Sequence, residues 1–174
     1  MPFFAEGESR DKLTLLYFLD KVKCELTREQ LTTAAAAGDL LSFFELQNAV
    51  NELEESGLLA AVPRPYGQAY AITPAGAETL GMFYEQLPLS LREDIDDYAA
   101  RCADKLRRDT QYYSAYEKRE AGYAVTLKIM ERSSELLALS VVMPDIDSAK
   151  NACATWPEHA EALYKHVVAE LHRS

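Results

Sequence analysis

The chain has 174 residues, 48% of them hydrophobic and 26% charged, which is enough apolar content for a core and too much for a disordered tail. Its formal net charge of −10 and pI near 4.8 oppose general attraction to nucleic acid or to anionic membranes. No apolar run approaches the roughly 18 residues that span a bilayer, and the start MPFFAEGESRDK lacks the layout of a signal peptide, so a cytoplasmic protein with no membrane association is expected.

In chain order, Arg10 to Cys24 reads as a helix whose apolar residues Leu13, Leu15, Leu16, Tyr17, Phe18, Leu19 and Val22 wrap most of its circumference. Such a helix needs cover on two sides, one from its own domain and one from a second domain or a second subunit. Thr27 with Gln30, and Ser42 with Glu45, have the spacing of capping boxes and mark two helix starts. Gly38 and Asp39 separate those helices, and Gly57 stops the second, in which Phe43, Leu46, Val50 and Leu53 recur at helical spacing. LLAAVPRPYGQAYAIT then reads as a hairpin with its tip at Arg64 to Gln68. Thr73 and Pro74 open a further helix. Helix, helix, helix, hairpin, helix is the order of a winged helix-turn-helix, here residues 1–87, with the hairpin as wing.

Pro88 marks the expected boundary to a second domain, residues 88–174. LSLREDIDDYAARCADKLRRD places Leu91, Ile95, Tyr98, Cys102 and Leu106 on one stripe of a charged helix. Strands are expected at Gln111 to Glu117, Tyr123 to Arg132 and Leu136 to Met143, bending at Gly122 and at Ser133-Ser134. In the middle strand Tyr123, Val125, Leu127 and Ile129 alternate with smaller or polar residues, so one sheet face is expected to be covered by helices. Asp147 or Ser148 opens a helix running toward Trp156, and Pro157 starts another. The fold class is therefore α+β: an N-terminal winged helix followed by a small three-stranded antiparallel sheet with three helices, serving dimerisation or ligand sensing.

LTLLYFLDK, LLSFFELQNAVNELEESGLL, YAITPAGAETL, YAVTLKI and the closing A-x-x-A-C-A-T-W…LY together resemble a bacterial domain family of unknown function over nearly the whole chain. Within it, the first half is similar to the winged helix of PadR-like and MarR-like transcriptional regulators. The resemblance implies a regulator that binds DNA. The pattern Tyr70, Ile72, Thr73, Gly76 and Leu80 is common to many winged helices and speaks for the fold.

Candidate DNA contacts are Arg28, Phe44, Gln47, Asn48, Asn51, Arg64 and Tyr66. Asn48 and Asn51 suit bidentate pairing with adenine, Phe44 a thymine methyl, and Arg64 at the wing tip a minor groove or a phosphate. The competing reading makes the asparagines solvated helix residues and packs Phe44 under the wing or at an interface. Against DNA, residues 29–63 carry six acidic and no basic side chains, and carboxylates repel the phosphates that supply most non-specific affinity. A homodimer would relieve this by bringing in Lys12, Lys21, Lys23 and Arg28. A secondary basic cluster, Arg101, Lys105, Arg107 and Arg108, follows Glu93, Asp94, Asp96 and Asp97 on one helix, the order the helix dipole favours.

Cys24, Cys102 and Cys153 are too scattered for a metal knuckle or a disulfide framework and read as small apolar residues. His159, His166 and His172 lie seven and six apart, unlike zinc helices, so no metal and no cofactor is expected. Tyr112, Tyr113, Tyr116 and Tyr123 suit either an apolar effector pocket or sheet-face packing. No nucleophile with a base and no phosphate-binding glycine loop is visible, which argues against an enzyme. The expected function is a transcriptional regulator binding DNA as a homodimer. The alternative is a winged helix that binds protein through its acidic, Phe-bearing third helix.

Overall fold

A computed structural model describes residues 6–64, 67–131 and 134–173: a mixed α+β protein with two three-stranded antiparallel sheets. The chain divides into two units, Met1–Arg107 and Arg108–Ser174. In the first, α1 (Glu6–Val22), β1 (Leu26–Thr27), α2 (Arg28–Ala37) and α3 (Phe43–Glu55) precede the hairpin β2 (Leu59–Arg64) and β3 (Gly67–Ile72). α4 (Pro74–Phe83), a 3-10 turn at Tyr84–Gln86 and α5 (Leu89–Gln111) follow. The starts of α2, α3 and α4 fall where the residues place them, whereas α1 begins at Glu6, ahead of the expected Arg10. Both capping boxes are complete, the Thr27 and Ser42 side chains accepting from the backbone of Gln30 and Glu45, whose side chains accept from the cap amides in return. Gly57, at φ +75°, turns the chain out of α3.

α1 is buried over most of its circumference: Leu13, Leu15, Leu16, Phe18, Leu19 and Val22 are each 3% exposed or less. Its second partner within the chain is α5. Phe18 stacks on Tyr98 with ring centroids 5.7 Å apart, and the Tyr17 hydroxyl donates to Asp96 Oδ1 at 2.9 Å. Ile95, Ala99 and Ala103 join the same core, which is why the first unit runs on to Arg107 instead of ending at Pro88. Burial, and then Asp96, push the Tyr17 phenol up to about 12.

The hairpin gains a third strand that the sequence does not announce. β1 pairs antiparallel with β3, Leu26 against Tyr70 and Thr27 against Ala69, giving the order β1-β3-β2. Only two residues long, β1 is fixed by Leu26, which is completely buried. Gly76 in α4 is needed for space: a Cβ there would stand 2.2 Å from the Leu58 carbonyl oxygen and 3.0 Å from the Ile72 side chain.

The second unit contains β4 (Tyr112–Arg119), β5 (Gly122–Glu131) and β6 (Ser134–Met143) in the order β4-β5-β6, followed by α6 (Ile146–Leu171). The expected bend residue Ser133 and strand end Arg132 lie outside the described residues. Val125, Leu127 and Ile129 form a core with Ala149, Trp156 and Ala160 of α6, while Tyr123 packs at its margin. α6 is one helix where two are expected, so the sheet is followed by a single continuous helix. Pro157 removes the amide that would bond the Cys153 carbonyl. The Ser114 hydroxyl of β4 donates to that carbonyl instead, at 3.4 Å, and Trp156 Nε1 donates to the Lys128 carbonyl at 3.0 Å. Sheet contacts thus carry the helix through its proline. Cys24 and Cys102 pack against the first core and Cys153 against the second. No helix among the described residues is long and apolar enough to cross a membrane.

Two measurements test this packing. Gly76→Ala is expected to destabilise the chain by about 1–3 kcal/mol in urea unfolding, because backbone has to move to admit the methyl group. The folded chain holds the Tyr17 proton at pH values where the unfolded chain loses it, so stability declines as pH rises from 10 toward about 12. Tyr17→Phe, with no proton to lose, is expected to make that decline shallower.

Candidate functional site

The polar surface centred on α3 is set up by Arg28, the first residue of α2. Its guanidinium donates through Nη1 to Gln47 Oε1 at 2.9 Å. Through Nη2 it donates to Asn51 Oδ1 and to the Tyr70 hydroxyl, both at 3.0 Å. Gln47 Nε2 donates to the Thr32 hydroxyl at 3.1 Å, and that hydroxyl donates to the Arg28 carbonyl at 2.7 Å. A closed circuit thus joins the start of α2, the middle of α3 and β3. Three of the expected contact residues, Arg28, Gln47 and Asn51, are brought together, and they are bonded to one another. Thr32 and Tyr70 complete the circuit; one turn of helix separates Thr32 from Arg28, but Tyr70 is 42 residues away and its pattern spoke for the fold, not for this site.

Phe44, Asn48, Asn51 and Glu55 form the outward stripe of α3, all exposed. Phe44 does not pack under the hairpin. It is 77% exposed and lies edge-on to Phe43, itself 58% exposed, at a centroid distance of 5.5 Å. Glu45, Glu54 and Glu55 are exposed beside them. The hydrogen bonds of its capping box, first from the Ser42 backbone, hold Glu45 below the ordinary carboxylate range, so it is ionised at neutral pH. Glu52 is paired with Lys12 of the same chain.

Arg64 is not presented outward. Its Nη2 lies 2.9 Å from Glu25 Oε2, and its side chain is 3% exposed. It ends β2 in register with Gly67, turned toward the residue preceding β1. Tyr66 lies outside the described residues.

The secondary basic cluster is only partly a cluster. Arg107 turns back to Asp104 at 3.2 Å and to the Ala103 carbonyl at 3.3 Å, while Arg101 sits 5.9 Å over the Tyr98 ring. Lys105 and Arg108 are exposed, and the boundary between the units falls between Arg107 and Arg108. The tyrosine group divides across its sheet. Tyr112, Tyr116 and Tyr123 share the α6 face with Tyr116 against Tyr123 at 6.3 Å, and Tyr113 is in register on the other face. A cavity of about 270 Å³ lies elsewhere, lined by Tyr17, Asp20, Lys21, Leu80 and Tyr84 among others. Two of its polar groups, Tyr17 and Lys21, turn to Asp96.

Residues 11–171 match the family model described as Domain of unknown function (DUF4364). The chain belongs to this family. Comparison with curated proteins and with solved structures finds no match.

Arg28→Ala removes a charged donor from Gln47 and Asn51 together and is expected to cost about 1.5–3 kcal/mol in thermal or urea unfolding. Asn48→Ala, on the same helix but outside the circuit, is expected to stay within roughly 0.5 kcal/mol of the parent chain.

Proposed function

We propose that the first unit is a winged helix, with α3 as its exposed recognition helix and β2–β3 as its wing, and that it works by binding a protein. The observation that carries this reading is the fate of Arg64. The one cation of the wing is buried against Glu25, so α3 and the wing offer phosphate no accessible Lys or Arg between residues 29 and 63, nor at Arg64 itself. Without phosphate neutralisation the main source of DNA affinity is missing. What α3 offers instead is an exposed Phe43-Phe44 pair at its start, next to Glu45, with Glu54 and Glu55 exposed at its far end. Aromatic anchors with a charged rim are the composition of a protein contact. A fitting partner has an apolar pocket for Phe44 bordered by Lys or Arg.

The second reading, a transcriptional regulator that binds DNA as a homodimer, is favoured by one feature. Arg28 is held by neutral groups, so its charge remains beside Asn48 and Asn51, two amides suited to adenine. Selection of bound fragments from the source genome, followed by titration at low and physiological salt, separates the two. The protein-binding reading expects no enrichment at either salt. A reproducible, roughly palindromic fragment, bound with an affinity that falls as salt rises and that drops at least tenfold in Arg28→Gln, would overturn it in favour of DNA.

A further inference from the structure

The two edges of the second unit's sheet are built differently. β4 ends in Glu117, Lys118 and Arg119, charged residues of the kind that keep an edge from pairing with another chain. β6, the opposite edge, has no such protection. Its ten residues SELLALSVVM include no Pro, no Gly and a single charge, Glu135. That charge is already engaged, its Oε2 lying 3.1 Å from Lys128 Nζ on the neighbouring strand. Leu136, Val141 and Val142 are 40%, 42% and 56% exposed. A long apolar edge with unused backbone donors and acceptors calls for another strand.

The sequence of β6 indicates which strand. Read outward from Leu139 in both directions, it gives Ala138 and Ser140, then Leu137 and Val141, then Leu136 and Val142. Small residues mirror small ones and large apolar residues mirror large ones. Antiparallel pairing of two identical strands about a twofold axis at Leu139 would set each residue against its mirror position in the other copy. Leu137 would face Val141, Leu136 would come beside Val142, and each Glu135 would fall opposite Met143, far from its equivalent. Pairing β6 to β4 of another molecule would bring the charged end of β4 against apolar residues and would not close.

We propose that β6 pairs antiparallel with β6 of a second copy of this chain, about a twofold axis at Leu139, making one continuous six-stranded sheet. The pairing is independent of what α3 binds and supplies the dimer contact that a buried α1 does not.

The test is sedimentation velocity of the full chain at about 1 to 100 μM, a range that brackets micromolar association, with far-UV circular dichroism as the check on folding. The parent chain is expected to be a dimer. Val142→Lys, at a position already half in solvent, is expected to keep its fold and to associate at least about a hundredfold more weakly, since it would bring an unpaired charge into the apolar strip. Adding Leu136→Glu to Val142→Lys is expected to restore the dimer, because the register would place the new carboxylate beside the new ammonium of the other copy. Within one strand those positions are too far apart to pair. A monomeric parent chain, a Val142→Lys dimer of unchanged affinity, or a double variant that stays monomeric would each overturn the proposal.

Discussion

The cover of α1 is the constraint from which the first unit follows. A helix apolar around most of its circumference cannot leave those sides in water. Its demand is met by α3 and α4 on one side and by Tyr98, Ile95 and Ala99 of α5 on the other. With α5 drawn into that core, the unit extends well past the proline that looked like a boundary. The hydrogen bond from Tyr17 to Asp96 fixes the register between the two helices. The sheet β1-β3-β2 and the placement of α3 are then arranged around a helix that is already complete within one chain.

That completeness changes the electrostatics expected of α3. An assembly that buried α1 between subunits would have carried Lys12 and Lys21 to a shared face. Instead Lys12 pairs with Glu52, and Lys21 lies 3.9 Å from Asp96, each within the first unit. Both of these cations are thus engaged by carboxylates of the same unit, and the exposed stripe of α3 keeps its acidic character. The same order of elements that in a DNA reader presents positive charge here presents two phenyl rings and three carboxylates.

Much of this was legible in the residues. The capping boxes at Thr27 and Ser42, the stop at Gly57 and the period-two strand of Tyr123 to Ile129 depend on neighbours within a few positions, and all are found where they read. Features that depend on distant partners were not legible. A two-residue strand such as β1 has no periodicity, and only its pairing with Tyr70 defines it. Pro157 reads as a helix start because its missing amide is a local fact, whereas the Ser114 hydroxyl that compensates comes from 39 residues away. For the candidate site, Arg28, Gln47 and Asn51 were singled out by type and position, but their bonding to one another was not visible. Arg64 was read as outward because Glu25, its partner, has no sequence relation to it.

Arg28 is tied to two amide oxygens and a phenol, and to no carboxylate among its described hydrogen-bond partners. Neither protonation of acids nor ordinary salt touches such a clamp, since amides do not titrate and short hydrogen bonds are poorly screened. The pairs Lys12–Glu52 and Arg64–Glu25 are instead held by opposite charges. The two ends of the surface are therefore fastened differently: α2 to α3 by neutral acceptors on a guanidinium, the end of β2 by an ion pair. The α2–α3 pair is the fixed reference of this unit, and the hairpin is anchored beside it by charge.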